Sequence, residues 1–329
     1  MIKRFPKVSE AVKVEKSLVP FLKRSGTEKD KSENGINILL FYKFVEISDA
    51  EDFRERHLEF CKRLGIKGKV LVATEGINGS ISGTKEQTEA YKKELTSDER
   101  FVDVEFKEES GIFHPFNKMV VKVKNEIIRL DKKLDMNNRG KYISPKEFLE
   151  VYEKGEDVLI LDARNDYEYD VGRFKGAVKS EIESFREFPK FVKKLEGEKD
   201  KKIVMYCTGG IRCEKASAYM IEQGFKDVSQ LHGGVIKFCQ ELPNTVWEGS
   251  CFVFDDRLAS NVGQKDELNK CLHCSTKCDL MRNCKNERCN KMIFICPTCR
   301  EEMYNCCSAD CVKKTISMLV IKSKSIKTL

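Results

Sequence analysis

Two groups of cysteines are placed to do chemistry. Cys207 follows the apolar run Ile203-Val204-Met205-Tyr206 and precedes Thr208-Gly209-Gly210-Ile211-Arg212, after which Cys213 to Ile221 carries a helical pattern. The apolar run reads as a buried strand, so the arrangement is strand, tight loop, helix. Two glycines let the loop curl its backbone N–H groups inward, and the start of the helix adds partial positive charge at the same point. A thiolate there is stabilised, and its pKa falls below that of a free cysteine. An inert buried thiol at a strand end is the plain alternative; the paired glycines and Arg212 argue for reactivity. Cys213, one turn into the helix, could resolve an oxidised Cys207 or simply pack.

The second group is Cys271, Cys274, Cys278, Cys284, Cys289, Cys296, Cys299, Cys306, Cys307 and Cys311, ten of the fifteen cysteines in the chain. Two Cys-x-x-Cys pairs, each bringing two thiolates to one tetrahedral ion, are a strong zinc signal. Ten cysteines suffice for two structural four-coordinate sites with two left over, and His273 offers a nitrogen alternative. An iron–sulfur cluster is the rival, since thiolate sets serve both. Unliganded thiols would leave this short polar segment without a core.

Other elements must position these groups. A chain of 329 residues implies two or three domains. Residues 1–35 are lysine-rich and read as an N-terminal extension. Over 36–130 the pattern is β-α-β-β-α-β, with Thr84 capping the second helix and closing strands at Val102–Phe106 and Met119–Val123; this predicts a ferredoxin-like (acylphosphatase-like) α+β domain. A polar linker, Asp131 to Lys141, leads to a unit over 142–248. It opens with Ser144 as the cap of a capping box and Pro145 at the first helical position. Its apolar runs at Val158–Leu161 and Ile203–Tyr206 predict parallel strands of an α/β domain. Residues 251–313 form the cysteine-rich module, and 314–329 read as a basic tail that frays.

The charge balance, 60 basic against 53 acidic side chains, is mild; it permits an RNA partner without requiring one. Lys118, Lys122 and Lys124 alternate along the strand at Met119–Val123 and could meet phosphate or merely solvent. No run approaches the roughly 20 apolar residues needed to span a bilayer, and the N-terminus lacks a signal-peptide pattern. The expected location is the cytoplasm, where dense cysteines signal metal or thiol chemistry. No stable protein partner is predicted. His114 reads as a packed loop residue, and Trp247, Phe252 and Phe254 as core aromatics.

The run Leu161-Asp162-Ala163-Arg164-Asn165-Asp166-Tyr167-Glu168-Tyr169, with Gly172-Arg173-Phe174-Lys175-Gly176-Ala177, resembles the opening signature of rhodanese domains, and Leu231-His232-Gly233-Gly234-Val235 resembles their closing one. Cys207 to Arg212 falls at the family's six-residue active-site loop. The resemblance implies a rhodanese-like parallel-sheet domain whose cysteine carries sulfur as a persulfide, with Asp162 and Arg164 bracing the fold.

The run from Cys207 to Ser217 is similar to one rhodanese subgroup, the oxygen-dependent tRNA uridine hydroxylases. Glu75-Gly76-Ile77-Asn78-Gly79, His114-Pro115-Phe116-Asn117-Lys118-Met119 and Phe252-Val253-Phe254-Asp255-Asp256-Arg257 match it too. The implied activity is C5 hydroxylation of the tRNA wobble uridine, giving 5-hydroxyuridine, with O2 as co-substrate and Cys207 as the reactive thiol. Cys207 could add to C6 of the uracil or carry an oxidised sulfur species to the base. A sulfurtransferase carrying a Cys207 persulfide is the alternative activity, and a zinc-stabilised RNA-binding scaffold the non-enzymatic one. The intact cysteine, glycine loop and Arg212 speak against the scaffold.

Overall fold

The computed structural model describes residues 35–155, 157–263 and 268–326; the N-terminal extension expected at 1–35 lies outside them apart from Gly35. The first domain runs β1 (Ile36–Phe44), α1 (Ala50–Leu64), β2 (Lys67–Ala73), β3 (Gly76–Gly83), α2 (Lys85–Thr96), β4 (Lys107–Gly111) and β5 (Met119–Val123). Its sheet has the order β4-β1-β3-β2-β5. β3 lies between β1 and β2 and is antiparallel to both, the split βαβ arrangement expected of a ferredoxin-like domain. Strand alternation divides the sheet into two faces. Leu39, Phe41, Val70, Val72, Ile77 and Ile81 pack with Phe53, Cys61, Tyr91 and Leu95 of the helices. Ile38, Leu40, Tyr42, Lys69, Leu71 and Ser80 look the other way, into a cavity.

One strand differs from expectation. Residues 102–106 are not a strand: Phe101 closes a 3-10 turn, Glu99–Phe101, whose cap is Asp98 accepting from the Arg100 amide at 3.0 Å. Phe101 and Val104 are both anchored in the helix-side core from this turn, which accounts for the apolar spacing. The strand comes five residues later, where the polar run from Lys107 pairs antiparallel with β1, Lys107 opposite Leu40 and Gly111 opposite Ile36.

The polar segment after β5 is docked rather than loose. Leu130 and Leu134 join the core of the second domain, and Gly140 donates to Ser217 Oγ at 3.0 Å while accepting from Gln230 at 2.9 Å. There β6 (Lys141–Ile143), α3 (Pro145–Lys154), β7 (Val158–Asp162), α4 (Asp166–Val171), β8 (Gly172–Phe174), β9 (Val178–Lys179), α5 (Phe188–Lys194), β10 (Lys202–Tyr206), α6 (Ile211–Glu222), β11 (Asp227–Leu231) and α7 (Gly234–Glu241) follow in turn. Strands β6-β11-β10-β7-β9 form a parallel sheet. Apolar clusters cover both faces, one around Phe188 and Met220 and the other around Phe148, Phe174 and Phe238, which is why the central strands read as continuous hydrophobic runs. Ser144 forms the expected capping box with Glu147. Two more strands follow: β12 (Trp247–Phe252) pairs onto β8 and β13 (Ala259–Gly263) onto β12, so Cys251 is buried beside Trp247 in this domain's core.

The cysteine-rich residues form a separate compact unit. It holds a hairpin of β14 (Met281–Asn283) and β15 (Met292–Phe294), then α8 (Pro297–Glu302) and α9 (Ala309–Ile326). The frayed tail expected from residue 314 is instead the body of α9 as far as Ile326. Val312 and Thr315 are buried, Val312 and Ile316 pack with Cys306 and Cys311, and the Thr315 hydroxyl donates to the Cys311 carbonyl at 2.8 Å. With Lys313, Lys314 and Ser317 exposed, this helix is amphipathic. Among the described residues no helix is long and apolar enough to cross a membrane.

Candidate active site

Cys207 stands at the carboxyl end of β10 and is fully buried. The Gly210 amide donates to Cys207 Sγ at 3.1 Å, which requires φ of +106° at Gly210, a conformation that suits glycine. The first amides of α7 hold the loop from behind: Val235 donates to the Cys207 carbonyl at 3.0 Å and Ile236 to that of Thr208 at 3.1 Å. A side chain at Gly234 would sit 2.5 Å from the Cys207 carbonyl oxygen, so the Gly-Gly of the closing signature is a packing requirement of this loop. Burial alone would raise the Cys207 thiol; the Cys213 thiol, the Arg212 guanidinium and the amides of Arg212 and Cys213 outweigh it and bring the pKa down to about 5. Burial and the neighbouring Cys207 push Cys213 the other way, so it stays a thiol and donates.

Arg212 is itself fixed. Its guanidinium makes a bidentate pair with Glu168, at 2.5 and 2.8 Å, and donates to Thr208 Oγ1 at 3.2 Å. Glu168 is fully buried on α4; the sequence reading did not single it out for this role, although it lies in the opening signature. Asp162 and Arg164 pair in the core, Arg164 Nη2 reaching Asp162 at 2.6 Å and the Gly172 carbonyl at 2.6 Å, which braces β7 against β8.

The open face of the first domain's sheet covers this loop. A side chain at Gly209 would meet Leu40 at 2.8 Å, and one at Gly210 would meet the Tyr42 hydroxyl at 2.7 Å. Tyr42 donates to Glu214 at 2.9 Å, and Glu214 also accepts from Tyr142 at 2.6 Å and Arg139 at 3.0 Å. Between sheet and loop lies a cavity of about 860 Å³ that includes Cys207, Thr208, Gly209, Ile211 and Arg212 in its wall, within the size range of small-molecule sites. Lys69, Lys124, Arg129 and Arg186 are exposed at its edge.

The chain's three segments each match a known family: residues 36–127 the UPF0176 acylphosphatase like domain, 144–241 the Rhodanese-like domain, and 248–312 the Rhodanase C-terminal domain. Over 291 residues the chain is 46% identical to the tRNA uridine(34) hydroxylase of Bacillus licheniformis, covering 85% of this chain and 89% of that one. The protein of the same name from Staphylococcus haemolyticus is 44% identical over 294 residues, 87% of this chain and 92% of that one. The chain belongs to the tRNA uridine(34) hydroxylase family. The three motifs that suggested this subgroup converge on one cavity. Asn78 and Gly79 line it from β3, Phe116 from the loop before β5, and Phe254, Asp255 and Arg257 from the turn between β12 and β13.

That turn is tied down: the Asp256 amide donates to the Pro115 carbonyl at 3.1 Å and Arg257 reaches Glu109 at 3.1 Å. Trp247 and Phe252 are core aromatics as expected, but Phe254 is 63% exposed, with Arg212 5.6 Å from its ring centre. Strand alternation would place Phe252 and Phe254 on one face; the end of β12 at Phe252 is what separates them. His114 packs against Ser82, Nδ1 3.0 Å from the hydroxyl. Of the three lysines near β5, only Lys124 lines the cavity.

In the separate cysteine-rich unit, two groups of four sulfurs lie within 4.8 Å of one another: Cys271, Cys274, Cys296 and Cys299, and Cys284, Cys289, Cys307 and Cys311. Both could hold a metal ion. Cys278 and Cys306 stand outside them; Cys306 Sγ lies 3.5 Å from Thr315 Oγ1. His273 Nε2 lies 3.0 Å from the Cys306 carbonyl and is not in either group.

Proposed function

We propose that this chain hydroxylates C5 of the wobble uridine of tRNA, forming 5-hydroxyuridine with O2 as co-substrate and Cys207 as the reactive thiol. The observation that carries this reading is Cys207, its Sγ accepting from the Gly210 amide at 3.1 Å, in the wall of a cavity closed by a second domain. A base must leave its stack to enter such a site, which is least costly in a single-stranded loop. The exposed Lys69, Lys124, Arg129 and Arg186 offer cations to phosphates at the edge. The same Cys207 could bear a persulfide, but a sulfurtransferase acting on small thiols gains nothing from Leu40 and Tyr42 lying over its loop.

The cysteine-rich unit is suited to two structural zinc ions. Tetrahedral Zn–S bonds of about 2.3 Å place sulfurs roughly 3.8 Å apart; Cys274–Cys296, Cys289–Cys307 and Cys307–Cys311 are 3.6, 3.7 and 3.6 Å apart. That spacing suits one ion per group, whereas a cubane iron–sulfur cluster spreads its cysteines wider. Cys271 and Cys284 also accept backbone N–H bonds, from Cys296 and Cys307, both at 3.4 Å. All eight would serve as ligands, and the metal would hold the unit's fold.

The test is mass spectrometry of nucleosides from tRNA of a host lacking the gene, with wild-type and Cys207→Ser copies restored in parallel. Uridine-derived wobble nucleosides bearing oxygen at C5 should vanish and return only with the wild type. Unchanged tRNA in the deletion strain would count against the hydroxylase and for the sulfurtransferase.

A further inference from the structure

Lys107 is a buried cation that the cradle of Cys207 does not use. It opens β4 opposite Leu40, and directly paired residues of an antiparallel sheet share a face, so its side chain belongs to the cavity wall. Glu108, the next residue, faces the helices and bonds Lys92 and Asn37. Lys107 is 8% exposed. Among the described residues its ammonium has no hydrogen bond or ion pair; it lies 5.3 Å from the centre of the Tyr42 ring, the residue that covers Gly210.

The other buried or half-buried cations around Cys207 are matched. Arg212 pairs with Glu168, Arg257 with Asp255 and Glu109, and Lys215 with Glu75 and Glu126. Burying an ammonium without a direct ion pair or hydrogen bond is costly, and a lysine serving the fold alone would be better replaced by an apolar side chain of its length. Burial depresses its pKa, Lys237 adds to that, and Glu105, Cys207 and Glu214 oppose it.

We propose that Lys107 is a catalytic residue whose ammonium binds the O4 carbonyl of the uracil and takes up the negative charge formed there when Cys207 adds to C6. The proposal rests on the uridine reading. In this step the Cys207 thiolate forms an S–C6 bond. The C5–C6 π pair moves to C5–C4 and the C4–O4 π pair to oxygen, giving an enolate that receives a hydrogen bond or proton from Lys107. No electron is lost. When the enolate collapses, the proton returns to Lys107 and the electron pair is available at C5, the carbon to be oxygenated.

The decisive substrate is full-length tRNA with 5-fluorouridine at position 34, on which addition at C6 followed by proton uptake from water at C5 leaves a 5,6-dihydropyrimidine protein–RNA adduct that can be trapped without any oxygenation. Wild-type protein should form it and Lys107→Met should form it about 100-fold more slowly, with tRNA affinity within about threefold and a melting temperature unchanged or raised. Ethylamine should restore part of the rate to Lys107→Ala, a result no structural role produces. Adduct formation by Lys107→Met within about threefold of wild type, no adduct with active wild-type protein, or no amine rescue would each overturn the proposal. A wild-type protein that hydroxylates no tRNA at all overturns the uridine reading beneath it, so the two failures are told apart.

Discussion

Cys207 and the paired cysteine clusters hold sulfur in opposite ways. Around Cys207 the protein supplies the positive field itself: the Gly210 amide at 3.1 Å, the start of α6, and an arginine pinned by Glu168. In the clusters four sulfurs crowd within 4.8 Å and the nearby donors are a few backbone amides and the Asn286 side chain, 3.4 Å from Cys311 Sγ. A single thiolate can be stabilised by a rigid loop, whereas four need a cation. The first site is therefore built by the fold, and the second, with metal bound as proposed, would build its fold.

The largest effect expected from this contrast follows metal removal. Structural zinc contributes about 10–16 kcal/mol in small thiolate modules, so a chelator should melt the hairpin and α8, seen as new protease cleavage within 268–312. Elemental analysis should give about two metals per chain, falling to about one in Cys299→Ala or Cys311→Ala. A unit that stays protease-resistant without metal would erase the contrast. Next is Arg212→Met, which strands the buried Glu168 carboxylate and should cost about 3–5 kcal/mol in denaturant unfolding. Glu168→Gln with Arg212→Met should recover much of that loss, because neither charge is then left alone.

A smaller effect sharpens the electrostatic side. Ultraviolet titration of the thiolate, wild type minus Cys207→Ser, should show a midpoint near 5, against about 8.5 for a free cysteine. With the folded pKa below the unfolded one, the unfolded chain binds more protons between these values. The contribution of Cys207 to stability is thus fully present above about 8.5 and is lost as pH falls toward 5. A midpoint above 8 would mean that the cradle does not act on the sulfur. The smallest effect belongs to Phe254→Ala. An exposed ring at the cavity stacks on one base at most, so KM for tRNA should rise about fivefold, equivalent to about 1 kcal/mol, with folding unaffected.

Much of this was legible in the chain. The strand before Cys207 announces itself as an apolar run, the glycines after it mark a turn, and Cys-x-x-Cys spacing needs no tertiary information. The residues that escaped notice lie where one element depends on another. Lys107-Glu108-Glu109-Ser110 reads as a polar loop because one face of that strand lines a cavity and the other meets Asn37 and Lys92; hydrophobic alternation marks strands only when a face is apolar. Phe101 and Val104 mimicked a strand from a turn. Glu168 and Arg212 are 44 residues apart, and only the parallel sheet between them explains their pairing. α9 looked like a loose tail because every charge after Asp310 is a lysine, while Val312, Thr315 and Ile316 define its packed side.

Lys215 carries a consequence for how such a chain can be divided or inherited. Its ammonium, on α6, lies 2.8 Å from Glu75 and 2.6 Å from Glu126. Those same carboxylates cap the backbone of Ile127, Leu130 and Asp131. The chain leaving the first domain is thus fastened by a residue that only the second supplies. A rhodanese-like half excised at residue 142 exposes a lysine evolved for burial, and a first domain alone keeps two carboxylates facing each other without their cation. Recombining either half with a foreign partner breaks the same three-way contact. Glu75, Glu126 and Lys215 must therefore travel together, and the two folds behave as one heritable part.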